Sequence, residues 1–193
     1  MPKLAKRITI LVAGDYKVGK STLINRYRSP TKFNPEETQY IDYFEYTITI
    51  EKQTYEIFIL SYMPQYHEEY NLRRANGIIM LYDVANPSSL EFIDKLIPTV
   101  QELNNHFFVS LVGNKQDLKS ERKISYEDGL KLANTYKSKF YEISAFDYDA
   151  ISTLITLMIK EIIVNSTLYD TYKLEDYRPE VGGGCMGTNT CYI

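Results

Sequence analysis

Apolar runs alternate with amphipathic stretches along most of this chain. Arg7–Ala13 (RITILVA) reads as a strand buried on both faces that stops at Gly14. A helix is predicted from about Lys20 to Arg28, ended by Ser29-Pro30, because the residue before proline resists the α conformation. Two runs rich in β-branched and aromatic residues follow, Ile41–Ile50 and Thr54–Leu60, and the short Glu51-Lys52-Gln53 link between them predicts a hairpin. Gly77–Asp83 (GIIMLYD) and Phe107–Gly113 (FFVSLVG) read as fully buried strands, and Phe140–Ile143 as a last short one. Helical periodicity covers Ser88–Asn104, Tyr126–Tyr136 and Ala150–Val164.

Strands alternating with helices predict a mainly parallel six-stranded sheet with one antiparallel strand and helices on both faces. After about residue 165 the periodicity fades into Gly182-Gly183-Gly184 and small polar residues. The expected organisation is one domain over residues 1–165, then a flexible tail over 166–193.

Composition removes several classes. At 44% hydrophobic and 24% charged residues, a core of ordinary size is expected and global disorder is excluded. No run approaches the roughly 20 apolar residues of a membrane span. The opening Met1–Arg7 lacks the apolar stretch of a secretory signal, so a cytoplasmic protein is expected. A net charge of −3 gives no electrostatic reason to expect nucleic acid as a partner. Both cysteines, Cys185 and Cys191, fall in the last nine residues, which excludes a disulfide scaffold or a cysteine-based zinc site in the domain.

Gly14-Asp15-Tyr16-Lys17-Val18-Gly19-Lys20-Ser21 fits G-x-x-x-x-G-K-[ST], between the first predicted strand and a helix start. In such a P-loop, backbone N–H groups and the helix N-terminus bind phosphate oxygens, here from Asp15, Tyr16, Lys17, Val18, Gly19, Lys20, Ser21 and Thr22. Lys20 would reach the β- and γ-phosphates, and the Ser21 hydroxyl would coordinate Mg²⁺.

Asn114-Lys115-Gln116-Asp117 follows the strand Phe107–Gly113 at its carboxyl end, where ligands bind in open α/β sheets. A carboxylate at Asp117 can accept from guanine N1–H and the 2-amino group, a donor pair adenine lacks. The loop Ser144-Ala145-Phe146, after the last strand, can offer backbone N–H to the guanine oxygen.

These segments together resemble the Ras-like small GTPases, P-loop NTPases with a G domain, and within them the Rab branch. The resemblance covers about residues 5–165 and rests on GDYKVGKS, TQYIDYF, RRANGIIMLYDV, GNKQD and EISA. It implies binding of GTP and GDP with Mg²⁺. Thr38 corresponds to the first-switch threonine, whose hydroxyl joins Mg²⁺ and whose amide meets the γ-phosphate. Asn114, Lys115 and Asp117 take guanine-recognition roles, Ala145 an amide role, and Phe33 the role of an aromatic wall, although its spacing is unusual. The resemblance further implies effector proteins reading residues around 38–46 and 62–74, an exchange factor and an activating protein (GAP).

The departures are informative. Where the family carries Asp-x-x-Gly-Gln, this chain has Ser61-Tyr62-Met63-Pro64-Gln65. Ser61 brings no charge toward Mg²⁺, and Pro64 has no N–H for a γ-phosphate. Gln65 aligns with the glutamine that orients water, with a solvated loop residue as the equal alternative. The stretch after it is shorter than in Rab relatives and is expected not to form the usual helical second switch. Tyr16 stands where a small residue usually sits beside the γ-phosphate, and its phenol would crowd Gln65 and an inserted arginine. Lys17 replaces a second small residue, and Phe146 a common lysine.

The tail is not polybasic, and Thr190 rather than cysteine occupies the C-a-a-X position. By resemblance Cys191 is a candidate for isoprenylation and attachment to the cytoplasmic face of an endomembrane; two unmodified thiols are the alternative. The reading is a Rab-like GTP-binding protein of membrane traffic with slow hydrolysis. The competing readings are a scaffold with the same fold and no nucleotide switch, and a phosphate-loop small-molecule kinase.

Overall fold

The computed structural model describes residues 5–31, 33–34, 43–62, 69–103 and 107–166. Six strands, β1 (Lys6–Ala13), β2 (Tyr43–Ile50), β3 (Gln53–Ser61), β4 (Gly77–Asp83), β5 (Phe108–Asn114) and β6 (Lys139–Glu142), form one sheet in the order β2-β3-β1-β4-β5-β6. Only β2 runs antiparallel, paired with β3 along its whole length; the other neighbours are parallel.

The helices are α1 (Lys20–Arg28), α2 (Glu69–Arg74), α3 (Pro87–Leu103), α4 (Tyr126–Thr135) and α5 (Tyr148–Ser166). Alternation along β1 separates two cores. Ile8, Ile10 and Val12 pack with Leu23 and Ile24 of α1 and Ile151, Ile155 and Ile159 of α5. Leu11 and Ala13 face the other way, with Leu72 of α2, Ile93 and Ile97 of α3 and Ala133 of α4. Period-two alternation thus serves both faces at once, which is why β4 is buried at every position.

The predicted α/β architecture is the observed one. Two local differences have physical causes. The hairpin turns through two residues rather than three: Glu51 and Lys52 adopt φ of 50° and 66°, the twist that a two-residue turn requires, and Gln53 already pairs with Ile50. The helix not expected after the third strand is present as α2. It is only six residues long, and the burial of Leu72 and Ala75 against α3 and the sheet holds it. Among the described residues no helix is long and apolar enough to cross a membrane.

Candidate functional site

The candidate residues gather where β1, β5 and β6 end at their carboxyl edge. The loop between β1 and α1 is compressed by its glycines. A Cβ on Gly14 would lie 2.2 Å from the carbonyl oxygen of Leu81 in β4. Gly19 has φ of +104°, and a Cβ there would lie 2.3 Å from Asn114 Nδ2, so both positions exclude a side chain. Gly19 also caps α1, and no side chain caps the helix with a hydrogen bond. The first-turn N–H groups of α1 therefore have no side-chain acceptor, the arrangement that receives an anion.

Lys20 is almost completely buried beneath this loop, and its ammonium donates to the carbonyls of Gly14 (2.8 Å) and Asp15 (2.7 Å). Burial lowers its pKa, with the Asp15 carboxylate acting in the opposite sense. A cation kept in a dry setting by two carbonyl dipoles, with only the Asp15 carboxylate opposing its desolvation, is suited to meet an anion entering the loop. Asp15 accepts from the Tyr16 amide through Oδ1 at 2.7 Å. Tyr16 itself is 73% exposed, with the Lys17 ammonium 5.2 Å from its ring centroid. Its phenol stands out in solvent, and Gln65, which it was expected to crowd, lies outside the described residues. Lys17 holds φ of 61°, a conformation that strains any residue with a Cβ.

Asn114 joins three segments distant in sequence. Its Nδ2 donates to the carbonyl of Val18 at 2.7 Å, and its Oδ1 accepts from the Ala145 amide at 2.8 Å. The phosphate loop, the end of β5 and the loop after β6 are fastened together by one buried side chain. The Ala145 N–H, expected to meet a guanine oxygen, donates to Asn114 in this structure. Asn114 retains its second Nδ2 proton. Ser144 is buried, and its Oγ accepts from the Phe146 amide at 3.3 Å.

Lys115 has φ of 64° and pairs through Nζ with Asp83 Oδ2 at 2.6 Å. Asp83, at the end of β4, also accepts from the Ala85 amide at 2.9 Å. That acid was not singled out beforehand, although a carboxylate closing a fully apolar strand is a visible signal. Asp117 is solvent-exposed at the mouth of the site. Phe33 and Phe146 lie against one another, ring centroids 6.1 Å apart at 49°.

Of the two serines considered for Mg²⁺, Ser21 is half-buried, and Ser61 is buried with an Oγ that has no hydrogen-bond partner among the described residues. The described residues contain no cluster of three or more His, Cys, Asp or Glu. A neutral hydroxyl such as that of Ser21 suits a Mg²⁺ only where phosphate oxygens supply most of the charge around it. Thr38, Pro64, Gln65, Cys185 and Cys191, and residues 38–42 and 63–68 of the stretches expected to meet effectors, lie outside the described residues.

Comparison with known proteins adds the lineage. The Ras family profile matches residues 9–164. Ras-related protein RABA5d of Arabidopsis thaliana is 31% identical, over 86% of this chain and 80% of its own length. Ras-related protein Rab-18 of Lymnaea stagnalis is 28% identical over 96% and 94%. Ras-related protein RabC of Dictyostelium discoideum is 27% identical over 79% and 82%. With a P-loop, an NKQD loop and an EISA loop brought to one edge of this sheet, and with that match, the chain belongs to the Ras family of small GTPases, on its Rab side.

Proposed function

We propose that this protein binds GTP and GDP at the carboxyl edge of β1, β5 and β6 and hydrolyses GTP slowly. The observation that carries this reading is the Asn114 tether, which holds the phosphate loop and both base-side loops in one arrangement through buried hydrogen bonds. In that arrangement the amides from Asp15 to Thr22, with Lys20, receive the phosphates, and Asp117 selects guanine over adenine. Lys115, aligned by its pair with Asp83, and the aromatic Phe33 and Phe146 flank the base. Ser21 and Thr38 would hold Mg²⁺, which when bound neutralises charge on the phosphates.

Slow hydrolysis follows from what Ser61 and Pro64 cannot supply. Losing one donor that acts on the developing charge costs on the order of 10²–10³ in rate. Gln65 remains as the water-orienting candidate. The Rab relatives support a role in membrane traffic on the cytoplasmic face of an endomembrane. Effectors would read residues around 38–46 and 62–74, with an exchange factor and a GAP as regulators and Cys191 as the lipidation candidate.

The test is single-turnover hydrolysis of GTP preloaded on the full chain, with and without Mg²⁺. Release of phosphate far below the rate of ordinary small GTPases is expected, rising in the Ser61→Asp, Pro64→Gly double variant. A rate ordinary for the family in the unaltered chain would overturn the assignment of Ser61 and Pro64. Ser61 and Pro64, standing where the family carries Asp and Gly, favour one other reading, a scaffold of the same fold that presents its surface without switching. Failure to bind either nucleotide would establish that reading instead.

A further inference from the structure

Arg26 lies in α1 and belongs to no motif, yet its guanidinium joins segments from three parts of the chain. Nε donates to the carbonyl of Phe146 at 2.9 Å, and Nη1 donates to the carbonyl of Pro30 at 2.6 Å. The same planar group sits 5.4 Å from the ring centroid of Phe33 and 5.9 Å from that of Tyr148. Phe33 in turn meets Phe146. Phe146 is half exposed and directly follows Ala145, whose amide is bound to Asn114. The contact between half-buried Phe33 and half-exposed Phe146 is small, so their mutual attraction alone holds the pair weakly. Here one cation faces Phe33 and fixes the backbone on which Phe146 is carried.

We infer that Arg26 is a positioning residue that fastens Phe33 and Phe146 into one aromatic wall on the base side of the site, and that this wall sets how slowly a guanine nucleotide leaves. The inference rests on the proposed nucleotide site and adds a residue that governs release from it. Only a planar fork satisfies two carbonyls while lying over aromatic faces, so lysine does not replace arginine here. The wall lies on the base side, whereas the phosphates belong to the loop before α1. Loosening it therefore speeds departure of the diphosphate and the triphosphate by the same factor.

The experiment follows dissociation of fluorescent GDP and of a non-hydrolysable fluorescent GTP analogue from the full chain, beside its melting temperature. Arg26→Ala is expected to raise both dissociation rates about tenfold or more, since interface changes act mainly on departure. Arg26→Lys should leave them fast. The Arg26→Ala, Phe146→Ala double variant should be no faster than the faster single one, because both break the same wall. Rates within about twofold of the parent in Arg26→Ala, with only the melting temperature lowered, would overturn the inference and leave Arg26 a staple between α1 and the start of α5. Should Arg26→Ala not fold, Phe146→Ala decides: unchanged release of both nucleotides overturns the wall. A parent chain that binds neither nucleotide fails earlier, at loading, and that result overturns the proposed function itself.

Discussion

Tyr82 and Gly129 meet so closely that a Cβ built on Gly129 would lie 2.3 Å from the Tyr82 hydroxyl oxygen. Tyr82 ends the buried run of β4, its side chain is fully enclosed, and its hydroxyl has no hydrogen-bond partner among the described residues. Burial and the neighbouring Glu142 carboxylate push the phenol's pKa well above its ordinary value. The fold thus keeps a polar atom dry against a helix that approaches β4 only because position 129 is glycine.

Gly129→Ala should destabilise the protein by about 1–3 kcal/mol, the usual cost of overpacking. Tyr82→Phe removes an unsatisfied hydroxyl and should be neutral or stabilising, by up to about 1 kcal/mol. Combined, the two should cost less than Gly129→Ala alone. The relief is partial, because a Cβ at 129 would also lie 2.6 Å from Phe140 Cζ. Chemical denaturation of the four proteins in the cycle checks this; strict additivity would refute it.

Pro98 interrupts α3, so the carbonyl of Asp94 has no helical N–H to accept from. The Tyr136 hydroxyl reaches across from the end of α4, donating to Asp94 Oδ1 at 2.7 Å with the Asp94 carbonyl 3.2 Å away. Tyr136→Phe should cost about 1 kcal/mol. The loss should be smaller in a Pro98→Ala background, where the carbonyl regains a backbone partner. Equal losses in the two backgrounds, by thermal unfolding, would show that the proline plays no part.

Lys17 occupies a left-handed conformation without needing its own side chain for any described hydrogen bond. That conformation costs an L-residue roughly 1–2 kcal/mol, against which glycine loses roughly 0.5–1 kcal/mol of unfolded-chain entropy. Lys17→Gly is therefore expected to raise stability by up to about 1 kcal/mol. Lowered stability would mean that the ammonium over the Tyr16 ring contributes more than the backbone strain costs.

Lys20 gives nucleotide binding a pH dependence whose sign can be worked out. Burial lowers its pKa in the unliganded protein. Phosphate oxygens beside the ammonium would raise it, so the complex holds more protons than the separate partners. Affinity should be constant while Lys20 is protonated in both states, then fall as pH rises through the lowered pKa of the free protein. Calorimetry in alkaline buffers of different ionisation enthalpy should show proton uptake on binding. Proton release would contradict the placement of Lys20.

Much of this fold was legible in the sequence because its boundaries carry strong local signals. Helix α1 begins at the lysine of the phosphate loop and ends before Ser29-Pro30, and β4 is an unbroken apolar run ended by Asp83. Helix α2 was not legible, since six residues are too few to show a period and its anchor is the tertiary burial of Leu72. The hairpin was visible, but its turn type was not, because neither Glu51 nor Lys52 is a residue that favours positive φ. The site shows the same division. Its motifs named Lys20, Asn114 and Lys115, but not what each touches. The acceptor for Asn114 lies 96 residues away. Arg26 belongs to no pattern, and it and the partner of Asp83 emerge only from contact.

The Asn114 tether has a consequence for the order of events in capture. Protein atoms alone hold the phosphate loop to the loops that follow β5 and β6, so this half of the site is already assembled when a nucleotide arrives. Entry on that side would require little ordering of the chain, so little of the entropic cost of binding would fall there. A first encounter would then resemble docking onto a rigid plate, and residence would be governed afterwards by the wall of Phe33 and Phe146.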